Sequence, residues 1–160
     1  MTPHESTRVA GVADLEVLVP LAEAAIAEKR EQKGGLVWMR RESRGADVRA
    51  SLAAALEARD HLVVLGLLDD TPLGYGVAHV ETLADGGRLG VLEDLYVDPG
   101  ARAVGVGEVL MDHLLGWCRE QGCFGVDSLA LPGDRSTKNF FESFGLVARA
   151  IVVHRPLQDS

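Results

Sequence analysis

The chain has 160 residues and a mass of 17.1 kDa, with 47% hydrophobic and 25% charged residues, which is typical of one globular domain. A domain of this length can bury a core without disulfides or a structural metal. The formal net charge is −8, from 16 Lys and Arg against 24 Asp and Glu. This charge argues against nucleic acid or an anionic membrane as the main partner, and it favours a cationic small molecule or peptide.

Neither a membrane span nor a secretory signal is visible in the sequence. No apolar run approaches the roughly 20 residues of a transmembrane helix, and residues 1–7 lack the charged and apolar blocks of a signal peptide. We therefore expect a cytoplasmic protein. Cys118 and Cys123 fit neither a zinc motif nor a disulfide framework, so we expect buried or half-buried thiols and no metal.

The first third of the chain predicts mainly helices. Residues 1–6 are polar and aperiodic, which predicts a disordered tail before a short strand at residues 7–10. Apolar residues at helical spacing predict a helix over residues 14–33, capped by Asp14 and ended by Gly34 and Gly35. Residues 34–45 have no clear periodicity, and residues 47–59 form a second amphipathic helix.

The remainder predicts a sheet and then alternating strands and helices. Strands are predicted over residues 61–68, 73–82, 91–97, 126–131 and 146–154, and helices over residues 105–120 and 135–144. Asp69, Asp70 and Pro72 supply turn chemistry between the first two of these strands. The order predicts a single mixed α/β domain over residues 7–157, with a mostly antiparallel sheet of about six strands and helices on both faces.

A glycine-rich segment, residues 98–107, lies between a predicted strand and a predicted helix. Its glycines allow a tight turn and leave helix N–H groups free to bind an anion such as a phosphate. A P-loop is excluded, because it needs a Lys after its last glycine and the lysines are at 29, 33 and 138. A dinucleotide fingerprint needs Gly or Ala where Leu110 stands. An ordinary glycine-rich turn without a ligand stays open.

Two separated motifs resemble those of the GNAT superfamily of acyl-CoA N-acyltransferases. In the segment LEDLYVDPGARAVGVGEVLM, residues 92–111, Arg102, Gly105 and Gly107 match the acetyl-CoA loop of that family. About 30 residues on, KNFFESFGL, residues 138–146, is similar to the second signature of the family. The resemblance is strong over residues 92–146 and implies a GNAT-like fold.

The resemblance implies that acetyl-CoA is the co-substrate. In the family, N–H groups of the loop hold the CoA pyrophosphate, and the splayed strand before the loop pairs with pantetheine through its main chain. The helix of the second motif faces the cofactor. The residues implied here are Leu95, Tyr96, Val97, Arg102, Ala103, Val104, Gly105, Val106, Gly107, Asn139 and Phe141.

The sequence departs from the family at three positions in and just before the second motif. Phe141 stands where the family commonly has a Tyr that protonates the leaving thiolate, and Phe carries no such proton. Asp134 and Thr137 stand where the family usually has Asn and Ala. Transfer would then depend on positioning and on deprotonation of the acceptor, because a CoA thiolate can be protonated by water.

Deprotonation of an amine acceptor requires a base near the thioester. Glu93 and Asp94 are adjacent on a predicted strand, so strand alternation sends their side chains to opposite faces. Alternation puts Glu93 on the face of Leu95 and Val97, and acids at this position recur in the family, so Glu93 is the first base candidate. Glu81 on the neighbouring strand is the second, and His79 is a possible proton shuttle or a structural histidine.

Acceptor recognition in the family usually falls to the N-terminal helices and the loop between them. Here that region includes Trp38, Arg40, Arg41 and Arg44, whose charges would recognise a carboxylate or phosphate if they face the cleft, or else are solvated surface.

The main hypothesis is an N-acyltransferase that moves an acetyl or short acyl group from CoA to a primary amine by direct transfer in a ternary complex. A CoA-binding regulatory or interaction module and a purely structural domain are the alternatives. A homodimer is possible.

Overall fold

The computed structural model describes residues 2–158, which form five strands and five helices together with two short 3-10 segments. The strands are β1 (Glu5–Val9), β2 (His61–Leu68), β3 (Thr71–Thr82), β4 (Arg88–Val97) and β5 (Gly125–Ser128). The helices are α1 (Leu15–Arg30), α2 (Gly35–Arg41), α3 (Val48–Glu57), α4 (Val106–Glu120) and α5 (Arg135–Ser143). Within residues 2–158, no helix is both long and apolar enough to span a bilayer.

The strands form one mixed sheet in the order β1-β2-β3-β4-β5. The first four strands are antiparallel neighbours, and β5 is parallel to β4. The tight turn between β2 and β3 is made by Asp69 and Asp70, which both have positive φ, as a two-residue hairpin of type I′ requires. The mixed, mostly antiparallel sheet is therefore confirmed, with five strands in the described residues rather than about six.

The predicted last strand, residues 146–154, is not a strand in the structure. Val147, Ile151 and Val152 are exposed to 81%, 84% and 77%. The segment is held to β5 by an ion pair between Arg149 and Asp127 rather than by a backbone ladder. The apolar sequence has a high strand propensity, but a strand also needs a neighbouring strand to pair with. β5 has only four residues, so its free edge is short.

The N-terminal part of the chain differs from the prediction at two places. β1 begins at Glu5, two residues earlier than expected, because residues 5–9 all pair with β2. Met1 lies outside the described residues. The segment without periodicity, residues 34–45, contains α2. The residue before this helix, Gly34, has a left-handed backbone conformation with φ 83°. A seven-residue helix spans only two turns, which is too short for periodicity to show.

Helices cover both faces of the sheet, as predicted. On one face, α1 and α3 pack on β2 and β3 around Leu18, Leu52, Leu65, Tyr75 and Val77. On the other face, α4 and α5 pack around a second core cluster, which contains Val64, Ala78, Leu92, Val97, Val106, Leu110, Met111, Leu114 and Phe141. Cys118 is buried beside the second cluster, and burial raises the pKa of its thiol to about 11.

Two irregularities of β4 shape the centre of the sheet. The register with β3 shifts from Val77↔Asp94 to Ala78↔Leu92, so Glu93 is an extra residue that bulges from the ladder. The parallel pairing with β5 runs only from Leu89↔Gly125 to Leu92↔Ser128. Among the described residues, positions 93–97 therefore have no strand partner on that side, because β5 ends at Ser128. This unpaired edge of β4 beyond the end of β5 is the gap between the two strands.

Close packing of α4 on the sheet leads to a stability prediction. A Cβ added at Gly66 in β2 would lie 2.7 Å from Val106 Cγ1 and 2.9 Å from Leu110 Cδ1, both in fully buried side chains. Gly66→Ala is therefore expected to lower the free energy of unfolding by about 1–3 kcal/mol, measured in guanidinium chloride.

Gly116→Ala is the matched control. No atom lies within 4 Å of its added Cβ, and replacing an interior helical Gly is expected to stabilise by about 0.5–1 kcal/mol. Equal effects of the two substitutions would contradict close packing of α4 against β2.

Candidate active site

The bulge at Glu93 overturns the predicted alternation on β4. Arg44 reaches both adjacent carboxylates, with Nη2 donating to Glu93 Oε1 at 2.6 Å and Nε donating to Asp94 Oδ2 at 2.9 Å. Leu95 and Val97 belong instead to the cluster under α4. A bulge inserts one residue and shifts the two-residue period, so the prediction that Glu93 shares a face with Leu95 and Val97 is wrong.

Arg44 is the buried counter-charge for this carboxylate pair. Its side chain is 8% exposed, against 21% for Glu93 and 14% for Asp94. Burial acts to lower the pKa of Arg44, but the charges of Asp94 and Glu93 outweigh it and raise the pKa. Arg44 is therefore neither solvated surface nor free to bind an acceptor.

Tyr75 fixes the second carboxylate of the pair. Its hydroxyl donates to Asp94 Oδ2 at 2.6 Å from a side chain that is buried in the sheet. Burial, reinforced by the charge of Asp94, raises the pKa of Tyr75 well above its ordinary value. Asp94 thus accepts from both Tyr75 and Arg44, which leaves Glu93 as the member of the pair that faces other partners.

Glu93 also contacts two histidines on the neighbouring strands. Its Oε2 lies 2.5 Å from His79 Nδ1 and 2.9 Å from His61 Nε2. His61 and His79 are directly opposite in the β2–β3 register, and their rings stack with centroids 5.2 Å apart. The other ring nitrogen of His61, Nδ1, lies 2.7 Å from Asp60 Oδ1. Contacts at hydrogen-bond distance therefore connect Glu93 through His61 to the exposed carboxylate of Asp60.

The glycine-rich segment forms the turn between β4 and α4. Asp98 accepts from the Gly100 N–H at 2.9 Å and begins a 3-10 turn over Pro99–Ala101. Gly105 has φ 90°, a conformation that L side chains rarely adopt, and it precedes the first turn of α4. The Val109 N–H makes the first bond of the helix, to the Gly105 carbonyl at 3.2 Å. The N–H groups before it point out of the helix end, where anions bind.

Arg102 holds this turn against the end of β4. Its Nε donates to the Val97 carbonyl at 2.9 Å, and its Nη2 pairs with Glu28 of α1 at 2.6 Å. The guanidinium also lies over the Tyr96 ring, with 5.5 Å between the guanidinium carbon and the ring centroid. Ala103 and Val104 are exposed, whereas Val106 and Gly107 are buried. The side chain of Arg102 therefore binds other residues of the protein, and it is the backbone of the turn that is left to bind a ligand.

The second motif meets the first through an aromatic side chain. A Cβ added at Gly107 would lie 3.3 Å from Phe140 Cζ, so the start of α4 and the middle of α5 are in direct contact. Phe141 is buried in the cluster under α4, and Asn139 is exposed. The structure therefore brings both motifs to the end of the sheet where β4 and β5 separate.

Asp134, which stands where the family has Asn, caps α5. Its carboxylate accepts from the Thr137 N–H at 3.1 Å and from the Thr137 hydroxyl at 2.5 Å. Partial burial acts to raise the pKa of Asp134, but hydrogen bonds from Thr137 and Ser136 outweigh it and hold the pKa below its ordinary value. The two departures at 134 and 137 therefore form one N-cap.

The other predicted site residues lie around this centre. Trp38 is buried under Lys29, whose Nζ is 4.6 Å from the ring centroid. Burial lowers the pKa of Lys29, although Asp94 and Asp134 oppose that shift. Arg40 and Arg41 are exposed, and Arg41 pairs with Glu42. Glu81 is exposed on β3, outside the network of Glu93.

Sequence reasoning missed His61 and the pairing role of Arg44. Counting residues from the turn at Asp69 and Asp70 would pair His61 with Ala78. The register shift between Gly66 and Leu67 moves its partner to His79, so counting alone misses the histidine pair by one residue. No comparable signal exists for Arg44, which is 49 residues from Glu93 along the chain and reaches it only because the fold brings the connection between α2 and α3 to this part of β4.

Removal of Arg44 provides a prediction about the network. Arg44→Met keeps most of the side-chain volume but leaves Glu93 and Asp94 as neighbouring carboxylates without their cation. It is expected to lower the free energy of unfolding by about 3 kcal/mol at pH 7, as found when one partner of a buried ion pair is removed. The same substitution at exposed Arg41 is the control and is expected to change stability by less than about 0.5 kcal/mol. Equal losses would show that Arg44 contributes no more than surface charge.

The capping role of Asp134 predicts a pH dependence. Asn caps helices nearly as well as Asp, so Asp134→Asn is expected to cost about 0.5 kcal/mol at pH 7. Because the folded-state pKa of Asp134 is lowered, its charge contributes stability above the unfolded-state pKa of about 3.9, and that contribution is lost as the pH falls through the folded-state pKa. Unfolding at pH 7, 5 and 3 should show the difference between wild type and variant vanishing at the acid end. A pH-independent difference would contradict this prediction.

Comparison with known proteins supports the sequence resemblance. The model of the acetyltransferase (GNAT) family matches residues 25–146. No curated protein sequence matches the chain.

Solved structures share the fold at low sequence identity. A tetramutant of the BH1408 protein from Bacillus halodurans superposes with a TM-score of 0.80 at 18% identity, covering 94% of this chain and 99% of that one. The aminoglycoside N-acetyltransferase AAC(6')-Iy, in complex with the bisubstrate analogue CoA-S-monomethyl-acetylneamine, gives 0.75 at 17%, covering 98% and 99%. The aminoglycoside acetyltransferase meta-AAC0020 from an uncultured soil metagenomic sample, in complex with sisomicin, gives 0.70 at 20%, covering 98% and 97%.

The family match extends over most of the chain and includes both motifs that meet at the end of the sheet. The chain therefore belongs to the acetyltransferase (GNAT) family.

Proposed function

We propose that the protein transfers an acetyl group from acetyl-CoA directly to a primary amine of a small molecule or peptide, in a ternary complex. The observation that carries this proposal is one juxtaposition at the centre of the sheet. The gap between β4 and β5 opens beside the free N–H groups at the start of α4, and the bulged Glu93 lies where the gap begins. The gap can hold an extended thioester arm, and the helix end can bind a phosphate. Glu93 can accept a proton.

Acetyl-CoA is proposed to bind mainly through the backbone. The pyrophosphate would accept from N–H groups of residues 102–107, supported by the positive end of the α4 dipole. The pantetheine arm would lie along residues 95–97, whose edge has no strand partner among the described residues. Arg102 keeps the loop closed onto Val97 by its side-chain bond to the carbonyl, and therefore acts as a positioning residue.

Glu93 is proposed as the base that takes the proton of the acceptor ammonium. Its Oε1 is held by Arg44, and its Oε2 faces His61 and His79. A proton accepted by this carboxylate can pass through His61 to Asp60 at the surface, since each step of the chain is at hydrogen-bond distance. Glu81 has no such connection and remains the second candidate.

Protonation of the leaving thiolate is proposed to fall to water. Phe141 offers no proton, and the Tyr75 hydroxyl already donates to Asp94. The proposed acetyl transfer would then depend mainly on positioning and on Glu93.

The acceptor is proposed to be a cationic amine. Two structural neighbours are described as aminoglycoside acetyltransferases, and one of them is in complex with sisomicin. The net charge of −8 on the present chain favours approach of such a polycation. Trp38, Arg40 and Arg41 border α2 and stay candidates for acceptor contacts.

Binding of acetyl-CoA at the start of α4 is the first outcome to test. A ligand that binds only the folded state stabilises it by about 2.7 kcal/mol at one hundred times its dissociation constant, so millimolar acetyl-CoA should raise the melting temperature of the wild type. Val104→Glu places a carboxylate beside the proposed pyrophosphate site at an exposed position, and should abolish this shift. The readout is thermal unfolding with and without acetyl-CoA.

Val12→Glu is the matched control. Val12 is also exposed. Gly105 lies close to Glu5 at the start of β1, whereas Val12 follows the other end of that strand and is therefore remote from the proposed phosphate site. It should keep the full shift. Equal shifts in all three proteins would place the ligand elsewhere, and no shift in the wild type would overturn the proposed function.

Acetyl transfer tests the role of Glu93. With a panel of polyamines and aminoglycosides as acceptors, Glu93→Gln should lower kcat by about 10²- to 10⁴-fold, which is the usual contribution of a general base. The acetyl-CoA thermal shift should be unchanged. Release of CoA thiol and mass of the acetylated amine are the readouts.

Glu81→Gln, on the adjacent strand, separates the two base candidates: it should retain activity if Glu93 is the base, and loss of activity in Glu81→Gln but not in Glu93→Gln would assign the role to Glu81 instead. Acetyl-CoA binding without transfer to any amine in the panel would favour the alternative of a CoA-binding module.

A further inference from the structure

The cluster of His61, His79 and Glu93 has the composition of a metal site. One donor atom from each side chain lies within 4.8 Å of the other two, and the three residues are on three adjacent strands of one sheet. Residues on paired strands are held rigidly, because their backbones share a hydrogen-bonded ladder. Two imidazole nitrogens and one carboxylate oxygen are a ligand set that binds Zn²⁺ in known catalytic sites.

The groups around these three residues orient their donor atoms. Asp60 Oδ1 lies 2.7 Å from His61 Nδ1, so Nε2 is the ring nitrogen that faces Glu93. Arg44 binds Glu93 Oε1 and turns Oε2 towards both histidines. Carboxylate–histidine pairs and hydrogen-bonded ligating carboxylates of this kind are the usual surroundings of bound metals.

The donor atoms of the cluster already converge on one place. Glu93 Oε2 lies 2.5 Å from His79 Nδ1 and 2.9 Å from His61 Nε2. A metal ion bonded at about 2.0–2.2 Å to each donor would fit after Oε2 moves back by less than about 1 Å.

We propose that His61, His79 and Glu93 bind one first-row divalent transition-metal ion, with Zn²⁺ as the best match to two imidazoles and one carboxylate. Mg²⁺ and Ca²⁺ do not match this site, because both prefer oxygen ligands and two of the three donor atoms are nitrogens. The sequence could not show this site, since its ligands are 18 and 14 residues apart and follow no metal-binding motif.

Metal binding would compete with acetyl transfer, a consequence that rests on the proposed function. Glu93 Oε2 is the atom proposed to accept the proton of the amine, and a bound metal ion would occupy its lone pair. Zn²⁺ should then inhibit transfer without displacing acetyl-CoA, because the loop at the start of α4 does not include any of the three ligands.

Binding can be measured without any activity assay. The full chain is treated with chelator, desalted and titrated with Zn²⁺ by isothermal titration calorimetry, and with Co²⁺ as a spectroscopic probe. We expect one Zn²⁺ per chain, and a visible Co²⁺ spectrum without thiolate charge-transfer bands. His61→Gln and His79→Asn, which keep one hydrogen-bonding atom near the lost nitrogen, should each weaken Zn²⁺ binding by at least 100-fold. Asp60→Asn, which alters only the orientation of His61, should weaken it by about 10-fold.

His154→Gln is the matched control, because His154 is exposed and far along the chain from the cluster. It should bind Zn²⁺ as the wild type does, and circular dichroism should show all variants folded. Unchanged affinity in folded His61→Gln or His79→Asn, absence of binding in the wild type, or a thiolate Co²⁺ spectrum would each overturn the proposal. Binding of Zn²⁺ by a protein that fails to acetylate any amine would leave the metal site standing and remove only its inhibitory role.

Discussion

The extra residue at Glu93 in β4 is the constraint on which the rest of the site depends. Without the bulge, strand alternation would send Glu93 and Asp94 to opposite faces of the sheet, and one of the two carboxylates would lie in the core under α4. With it, Glu93 and Asp94 turn to the same face and meet Arg44. The bulge lies next to the point where pairing between β4 and β5 ends, so one irregularity both aims the carboxylate and marks the opening of the gap.

The charged groups on this face form two sets of contacts, a buried set around Asp94 and a partly buried set around Glu93. Arg44 and Tyr75 both donate to Asp94 Oδ2, which makes Asp94 a structural anion that keeps Arg44 in place. Glu93 shares Arg44 but leaves one oxygen to the histidine pair, which is only partly buried. A buried cation between two carboxylates and a buried tyrosine is costly to rearrange, whereas a proton or ion among Glu93, His61 and His79 can exchange. The buried contacts around Asp94 therefore hold Glu93 in place while its proton or bound ion exchanges.

The two family motifs are joined by packing rather than by shared polar groups. Phe140 lies against Gly107, where an added Cβ would be 3.3 Å from the ring and would force it to shift by a few tenths of an ångström. Arg102 connects the same turn to Val97 and Glu28, so α1, β4, α4 and α5 all contact the loop. The departures at Asp134 and Thr137 are absorbed by a helix cap, which shows that a motif position can be reassigned to stability while the fold of the motif is kept.

The sequence by itself determined the family, the order of nearly all elements and the turn before α4, because glycines, caps and hydrophobic periodicity act over a few residues. It also placed Glu93 among the candidates. Tertiary structure decided which face Glu93 occupies, because a bulge depends on the register between two strands and leaves no mark in composition. It decided that Arg44 pairs with both carboxylates and that His61 joins His79, since these contacts join segments 49 and 18 residues apart. It also left residues 146–154 outside the sheet, because an apolar segment becomes a strand only where an edge is available to pair with it.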